Sequence, residues 1–168
     1  MLRELHTELG IPDDYGRDGS RPAYDEAVEL VEVGPNLVGR MQRLTPETAR
    51  QWQAMQAAAA AQSVTLLIVS GFRSIDYQAR LIRKKLNAGQ LVSDILAVVA
   101  APGYSEHHTG RAVDIASPGS RPLTEEFEES EAFRWLLQHA AEYGFFLSYP
   151  RDNPAGFIYE PWHWAQKG

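Results

Sequence analysis

The sequence predicts an α+β fold, a small and mostly antiparallel sheet with flanking helices. Three observations predict it. Strand and helix signals alternate irregularly along the 168 residues, without the regular strand–helix repeat of a parallel sheet. Val64–Ser70 (VTLLIVS) is a short, apolar, β-branched run closed by Gly71, the pattern of a buried strand. Arg111–Ala116 (RAVDIA) has a period of two, with Val113 and Ile115 on one face and Ala112, Asp114 and Ala116 on the other.

The elements follow in order. Residues 1–24 read as an irregular N-terminal arm, because Gly10, Pro12, Gly16, Gly19 and Pro22 punctuate it. Glu29–Val33 alternates weakly and predicts a short strand before Gly34-Pro35. Thr45-Pro46-Glu47 opens a helix, with Thr at the N-cap and Pro at the first helical position, and the alanine-rich run carries it through Ala61. After the Val64–Ser70 strand, Ser74 caps a helix over 75–88, whose Ile75, Ala79, Ile82 and Leu86 recur at helical spacing up to Gly89. A further helix covers 91–99, and 101–110 is a loop containing Pro102, Gly103 and Gly110. Beyond the Arg111–Ala116 strand, acidic 124–131 leads into a helix reaching about Tyr143 and stopped by Gly144. Phe145–Tyr149 and Ile158–Trp164 are the last strand candidates.

Composition bounds the function. The length favours one domain over 1–168. With 44% hydrophobic and 23% charged residues, disorder throughout is excluded. Sixteen Lys and Arg against 22 Asp and Glu leave a net charge of −6, so no nucleic-acid partner is expected. Cysteine is absent, which excludes disulfides, a thiol nucleophile and thiolate ligation; a metal must sit on His, Asp or Glu. No apolar stretch approaches the roughly 20 residues that span a bilayer. The first residues lack a basic region followed by an apolar one, so no secretory signal is read and the chain as written is expected to be cytoplasmic.

Three segments carry chemistry: Ser70-Gly71-Phe72-Arg73-Ser74, the run from Ser105 to Asp114, and Glu160-Pro161-Trp162-His163. A catalytic zinc takes three His or carboxylate ligands and one open position. Asp114, flanked by Val113 and Ile115 in an inner strand, needs a partner for its charge, and a cation supplies one. His107 lies in a glycine-flanked loop, and His163, between Trp162 and Trp164, faces opposite to both in an extended strand. His107 and His108 diverge in extended chain, so both do not bind one metal. Pro161 breaks strand geometry, which lets Glu160 and His163 converge, and a carboxylate there suits a general base. Arg73, at a strand end, suits a terminal carboxylate or a developing oxyanion. Each residue alone also has an ordinary structural reading: a solvated histidine pair, an ion-pair partner, a surface arginine, core tryptophans.

The order Ser105…His107…Gly110…Ala112…Asp114, followed by Glu160-Pro161-Trp162-His163, resembles the zinc D-alanyl-D-alanine carboxypeptidases of the VanY type. These are M15 peptidases sharing a zinc core with hedgehog-like domains. SGFRS at 70–74, Gln78 in the next helix and the stretch LSYPRDNPAGFIYEPWHW fit the same family, and the similarity covers most of 28–165. The resemblance implies a hedgehog/DD-peptidase-like fold, one zinc ion on His107, Asp114 and His163, and Glu160 as catalytic base. It also implies Arg73 on the substrate's terminal carboxylate or scissile carbonyl, with Ser105 and Gln78 as substrate contacts. The expected substrate is a peptidoglycan stem peptide or muropeptide losing a C-terminal D-alanine, normally found in the cell wall or periplasm. An endopeptidase of the same group and a non-catalytic, zinc-stabilised binding module are the alternatives. Intact Glu160 speaks against the latter, since a structural zinc needs no base.

Overall fold

The computed structural model describes residues 1–167. Its centre is a four-stranded antiparallel sheet built from β3 (Leu67–Ser70), β4 (Ala112–Ala116), β5 (Phe145–Leu147) and β6 (His163–Gln166), in the spatial order β3-β4-β6-β5. A separate antiparallel hairpin precedes it: β1 (Val31–Pro35) and β2 (Met41–Leu44). The α+β expectation holds, and every strand pairing is antiparallel. β2 has no counterpart among the predicted strands. Met41–Leu44 is too short to stand out and carries no β-branched or aromatic residue, and it takes strand form by pairing with β1.

The helices begin where their caps place them. Thr45 Oγ1 accepts from the Thr48 amide and starts α2 (Pro46–Ala61); Ser74 Oγ accepts from the Tyr77 amide and starts α3 (Ile75–Asn87). α2 buries Trp52, Met55 and Ala59 at spacings of three and four. They join Leu44, Val113, Ile115, Phe127, Leu136, Phe145 and Trp164 in the main core. Full burial of each large apolar side chain contributes about 1.5–3 kcal/mol. α4 (Val92–Val98) packs on α3 around a second cluster of Ala79, Ile82, Ile95 and Leu96.

Three expectations need correction. The arm is not irregular throughout: Leu2–Glu8 forms α1, and Leu5, Leu9 and Ile11 dock on the second cluster. The glycines and prolines that signal an arm begin only at residue 10. The helix expected up to Tyr143 is three pieces, a 3-10 turn at Glu125–Glu129, α5 (Glu131–His139) and a 3-10 turn at Ala140–Tyr143. Ser130 is extended and its hydroxyl caps Phe133, so α5 starts afresh there. The last strand does not cover Ile158–Trp164. It begins at His163, because Pro161 cannot join a ladder, and it runs on to Gln166.

Candidate metal centre and active-site cleft

Sheet register brings the distant segments together. Asp114 on β4 is paired with Ser70 at the end of β3 and with His163 at the start of β6. His107 comes from the 3-10 turn Glu106–Thr109, whose first residues are capped by Ser105 Oγ accepting from the His107 amide at 3.3 Å. Gly110 closes that turn at φ 66, and a Cβ there would press within 3.0 Å of Leu30, so glycine is required. Gly71, after β3, lets the backbone of β2 approach: an added Cβ would lie 2.7 Å from the Arg43 carbonyl oxygen.

His107, Asp114 and His163 are all buried, and one ligand atom from each lies within 4.8 Å of the others. Nδ1 of His107 donates to the Gly71 carbonyl at 2.7 Å, which leaves Nε2 as a lone pair 3.2 Å from Asp114 Oδ1. Nε2 of His163 donates to Glu106 Oε1 at 2.8 Å, which turns Nδ1 onto the same Asp114 oxygen at 3.1 Å. Oδ1 of Asp114 is buried and has no hydrogen-bond partner among the described residues. Three acceptors thus point at one another, an arrangement that needs a cation between them. Two imidazoles and one carboxylate form a fitting donor set for zinc with an open fourth position.

The charges respond to this crowding. Burial disfavours protonation of His107, Arg73 adds to it, and the group falls to about 4, so the ring is neutral. Burial also opposes charge on His163, but the carboxylates of Asp114 and Glu106 outweigh it and raise the ring's affinity for a proton, as they would for a metal cation. Asp114 is held well below the usual carboxylate range: burial opposes ionisation, but His107, His163 and Arg73 prevail. Burial pushes Glu160 up to about 7, with His163 and Asp114 acting in opposite directions.

These residues form part of the wall of a cleft of about 680 Å³, which Arg73, Ser105, Gln78 and Glu160 also line. Arg73 is not free. Its Nε donates to Ser70 Oγ at 2.8 Å and its Nη2 to Asp114 Oδ2 at 2.8 Å, while Nη1 has no protein partner among the described residues. Gln78 is 1% exposed; its Nε2 donates to the Ala100 carbonyl, which leaves Oε1 buried and unpartnered. His108 stays outside the metal group. Its ring bridges the Arg73 carbonyl and the Gly103 amide. The residue that sequence reasoning missed is Glu106. It accepts from His163, from Ser148 Oγ at 2.6 Å and from Lys167 Nζ at 3.3 Å. Burial opposes its charge, yet these partners hold it at about 2. Its only sequence signal is adjacency to His107, and in extended chain adjacent side chains diverge.

The family profile described as VanY D-alanyl-D-alanine carboxypeptidase matches residues 41–168. The chain belongs to the VanY D-alanyl-D-alanine carboxypeptidase family. A relative from Enterococcus gallinarum, the bifunctional D-Ala-D-Ala dipeptidase and carboxypeptidase VanXYC, is 33% identical over 130 residues, 74% of this chain and 67% of its own length. Among solved structures, the LdcB LD-carboxypeptidase superimposes with a TM-score of 0.76 at 30% identity, covering 88% of this chain and 72% of its own. A VanY D,D-pentapeptidase mutant in complex with Zn(II) gives 0.67 at 29% identity, covering 88% and 83%. The curated relatives are longer, and this VanY-family chain spans 36% to 67% of their length.

Proposed function

We propose that the protein is a zinc-dependent carboxypeptidase that removes a C-terminal D-alanine from peptidoglycan stem peptides or their fragments. The observation that carries this reading is the convergence of the His107, Asp114 and His163 lone pairs in a cleft that Glu160 also lines. Family membership supports it, as does the Zn(II) held by a related VanY structure. Zinc, when bound to these three residues, supplies Lewis acidity that polarises a scissile carbonyl and acidifies a water.

The chain's own residues do the rest. Glu160, with an affinity for protons near neutrality, takes a proton from the attacking water and passes it to the leaving amine. The Nε and Nη2 groups of Arg73 are anchored on Ser70 and Asp114, so the guanidinium cannot swing, and Nη1 is offered to the substrate's terminal carboxylate or carbonyl oxygen. Oε1 of Gln78, without a partner of its own among the described residues, is the acceptor for a substrate amide N–H. Ser105 already accepts as a helix cap, and its hydroxyl hydrogen is left for a substrate oxygen.

Mass spectrometry of tetra- and pentapeptide stems incubated with the zinc-loaded protein tests the reading. Loss of one terminal D-alanine is the expected product. Solved structures named LD-carboxypeptidase and D,D-pentapeptidase share the fold, so both peptides belong in the assay. Cleavage within the stem would favour an endopeptidase, and no cleavage of either peptide would remove the hydrolytic reading.

A further inference from the structure

His108 is fully buried, yet it is not among the three converging ligands and does not line the cleft. A buried imidazole must still satisfy both of its ring nitrogens. Nδ1 donates to the Arg73 carbonyl at 2.7 Å, and Nε2 accepts from the Gly103 amide at 3.0 Å. A single neutral tautomer serves both bonds. The ring itself hangs on a fixed backbone. The His108 carbonyl accepts from the Ala27 amide at 2.8 Å, and the His108 amide donates to the Ser105 carbonyl at 3.0 Å.

Each end of the ring holds a segment that supports one of the cleft's polar side chains. On one side is Arg73, whose amide donates to the His107 carbonyl at 3.1 Å, so both of its backbone groups are tied to residues 107 and 108. Its guanidinium is anchored at Nε and Nη2, and Nη1 is the group left over. On the other side is Gly103, in the loop that follows Ala100, and the Ala100 carbonyl accepts from Gln78 Nε2 at 2.9 Å. Arg73 and Gln78 are also joined along the chain, because the Gln78 amide donates to the Ser74 carbonyl at 3.0 Å. The connections thus form a circuit from Arg73 through Ser74 and Gln78 to Ala100 and Gly103, and the His108 ring closes it.

We propose that His108 is a positioning residue: by bridging the Arg73 carbonyl and the Gly103 amide it sets the placement of Arg73 Nη1 relative to Gln78 Oε1, and selectivity for a free C-terminus depends on it. The proposal deepens the carboxypeptidase reading above and rests on it. A charge-assisted bond reaches its strength only when donor and acceptor meet at the right distance and angle, and a displacement of about 1 Å that originates away from the contact can cost up to roughly 100-fold. Removing the imidazole leaves a carbonyl and a buried amide unpaired, and the two segments then shift to find other partners.

Nα,Nε-diacetyl-L-Lys-D-Ala-D-Ala, as its free acid and as its C-terminal amide, tests it on zinc-loaded wild type, His108→Ala, His108→Asn and His108→Gln. A Gln carboxamide offers one donor and one acceptor in place of the two ring nitrogens, whereas Asn, a methylene shorter, cannot span both partners. Wild type should prefer the acid about 10-fold or more in kcat/KM. In His108→Ala and His108→Asn the preference should fall to about 3-fold or less, through KM rather than kcat, and His108→Gln should return to within about 2-fold of wild type. A role in stability alone would lower the folded fraction and slow acid and amide equally, leaving KM and the ratio where they were. The ratio therefore reports even on partly folded enzyme, and Asn serves should the Ala variant yield none. An unchanged ratio in the Ala or Asn variant, or a Gln variant no better than Ala, would overturn the proposal. If wild type cuts neither peptide, the hydrolytic reading fails, and the ratio of calorimetric dissociation constants for the same two peptides tests His108 separately by the same criteria.

Discussion

Nε2 of His163 donates to Oε1 of Glu106 at 2.8 Å, and that bond sets which nitrogen of the ring faces Asp114. A carboxylate behind a ligating imidazole fixes its tautomer and raises its basicity. Glu106→Gln keeps the shape and loses the charge. Zinc affinity, measured by competition with a chromogenic chelator, should fall by about 10–100-fold. Unchanged affinity would leave Glu106 as a packing residue tied to Ser148 and Lys167.

Glu160→Gln separates the metal from the proton. The residue is not among the three that converge, so zinc should be retained at one equivalent. Turnover of a stem pentapeptide should drop at least about 100-fold, the low end for a general base. Near-normal turnover with zinc bound would exclude Glu160 from the mechanism.

The same substitution should change stability in the opposite sense. Burial raises Glu160 to about 7 in the folded, metal-free protein, against 4.5 when unperturbed. The folded state therefore binds the proton more tightly, and stability falls as pH rises from about 4.5 to about 7, then levels off. Each unit corresponds to about 1.4 kcal/mol, and the partial exposure of Glu160 reduces the total to about 2 kcal/mol. Metal-free Glu160→Gln should be more stable than metal-free wild type by about that amount at pH 8, with the difference vanishing near pH 4.5. Urea denaturation at several pH values reads this directly. A constant difference across the range would show that the carboxyl does not titrate as described.

Arg73 has two roles to distinguish. Its bond to Asp114 Oδ2 predicts that Arg73→Ala weakens zinc binding, because the ligand carboxylate loses an anchor. Its Nη1 predicts recognition of the substrate's free C-terminus. C-terminal amidation should cost wild type about 10-fold or more in kcat/KM, a charge-assisted bond being worth roughly 1.5–3 kcal/mol, and should cost Arg73→Ala much less. Equal costs would confine Arg73 to holding Asp114 or to an oxyanion role. Amidated peptides cut by wild type as fast as free ones would end the carboxypeptidase assignment.

Local chemistry was legible in the sequence. The caps Thr45 and Ser74 fall where their helices begin, and the period of two in Arg111–Ala116 puts Asp114 opposite Val113 and Ile115, which lie in the core. Residue types, the absence of cysteine and the family resemblance together single out His107, Asp114 and His163 as candidate ligands. What periodicity cannot reveal is anything made by contacts distant in sequence. The β1–β2 hairpin and the attachment of α1 each depend on partners that no local pattern encodes. Glu106 is the sharpest case. Its side chain turns from its neighbour His107 to meet His163, 57 residues away, and only the 3-10 turn at 106–109 and the docking of β6 on β4 aim it there. The juxtaposition of Arg40 and Arg80 has the same origin. Arg40 and Arg80 are unremarkable surface residues in the chain, and become a pair only because the hairpin and α3 meet around Tyr77. Short-range propensity acts on the backbone within a few residues, whereas a site is set by side-chain packing between elements, which the folded chain alone decides.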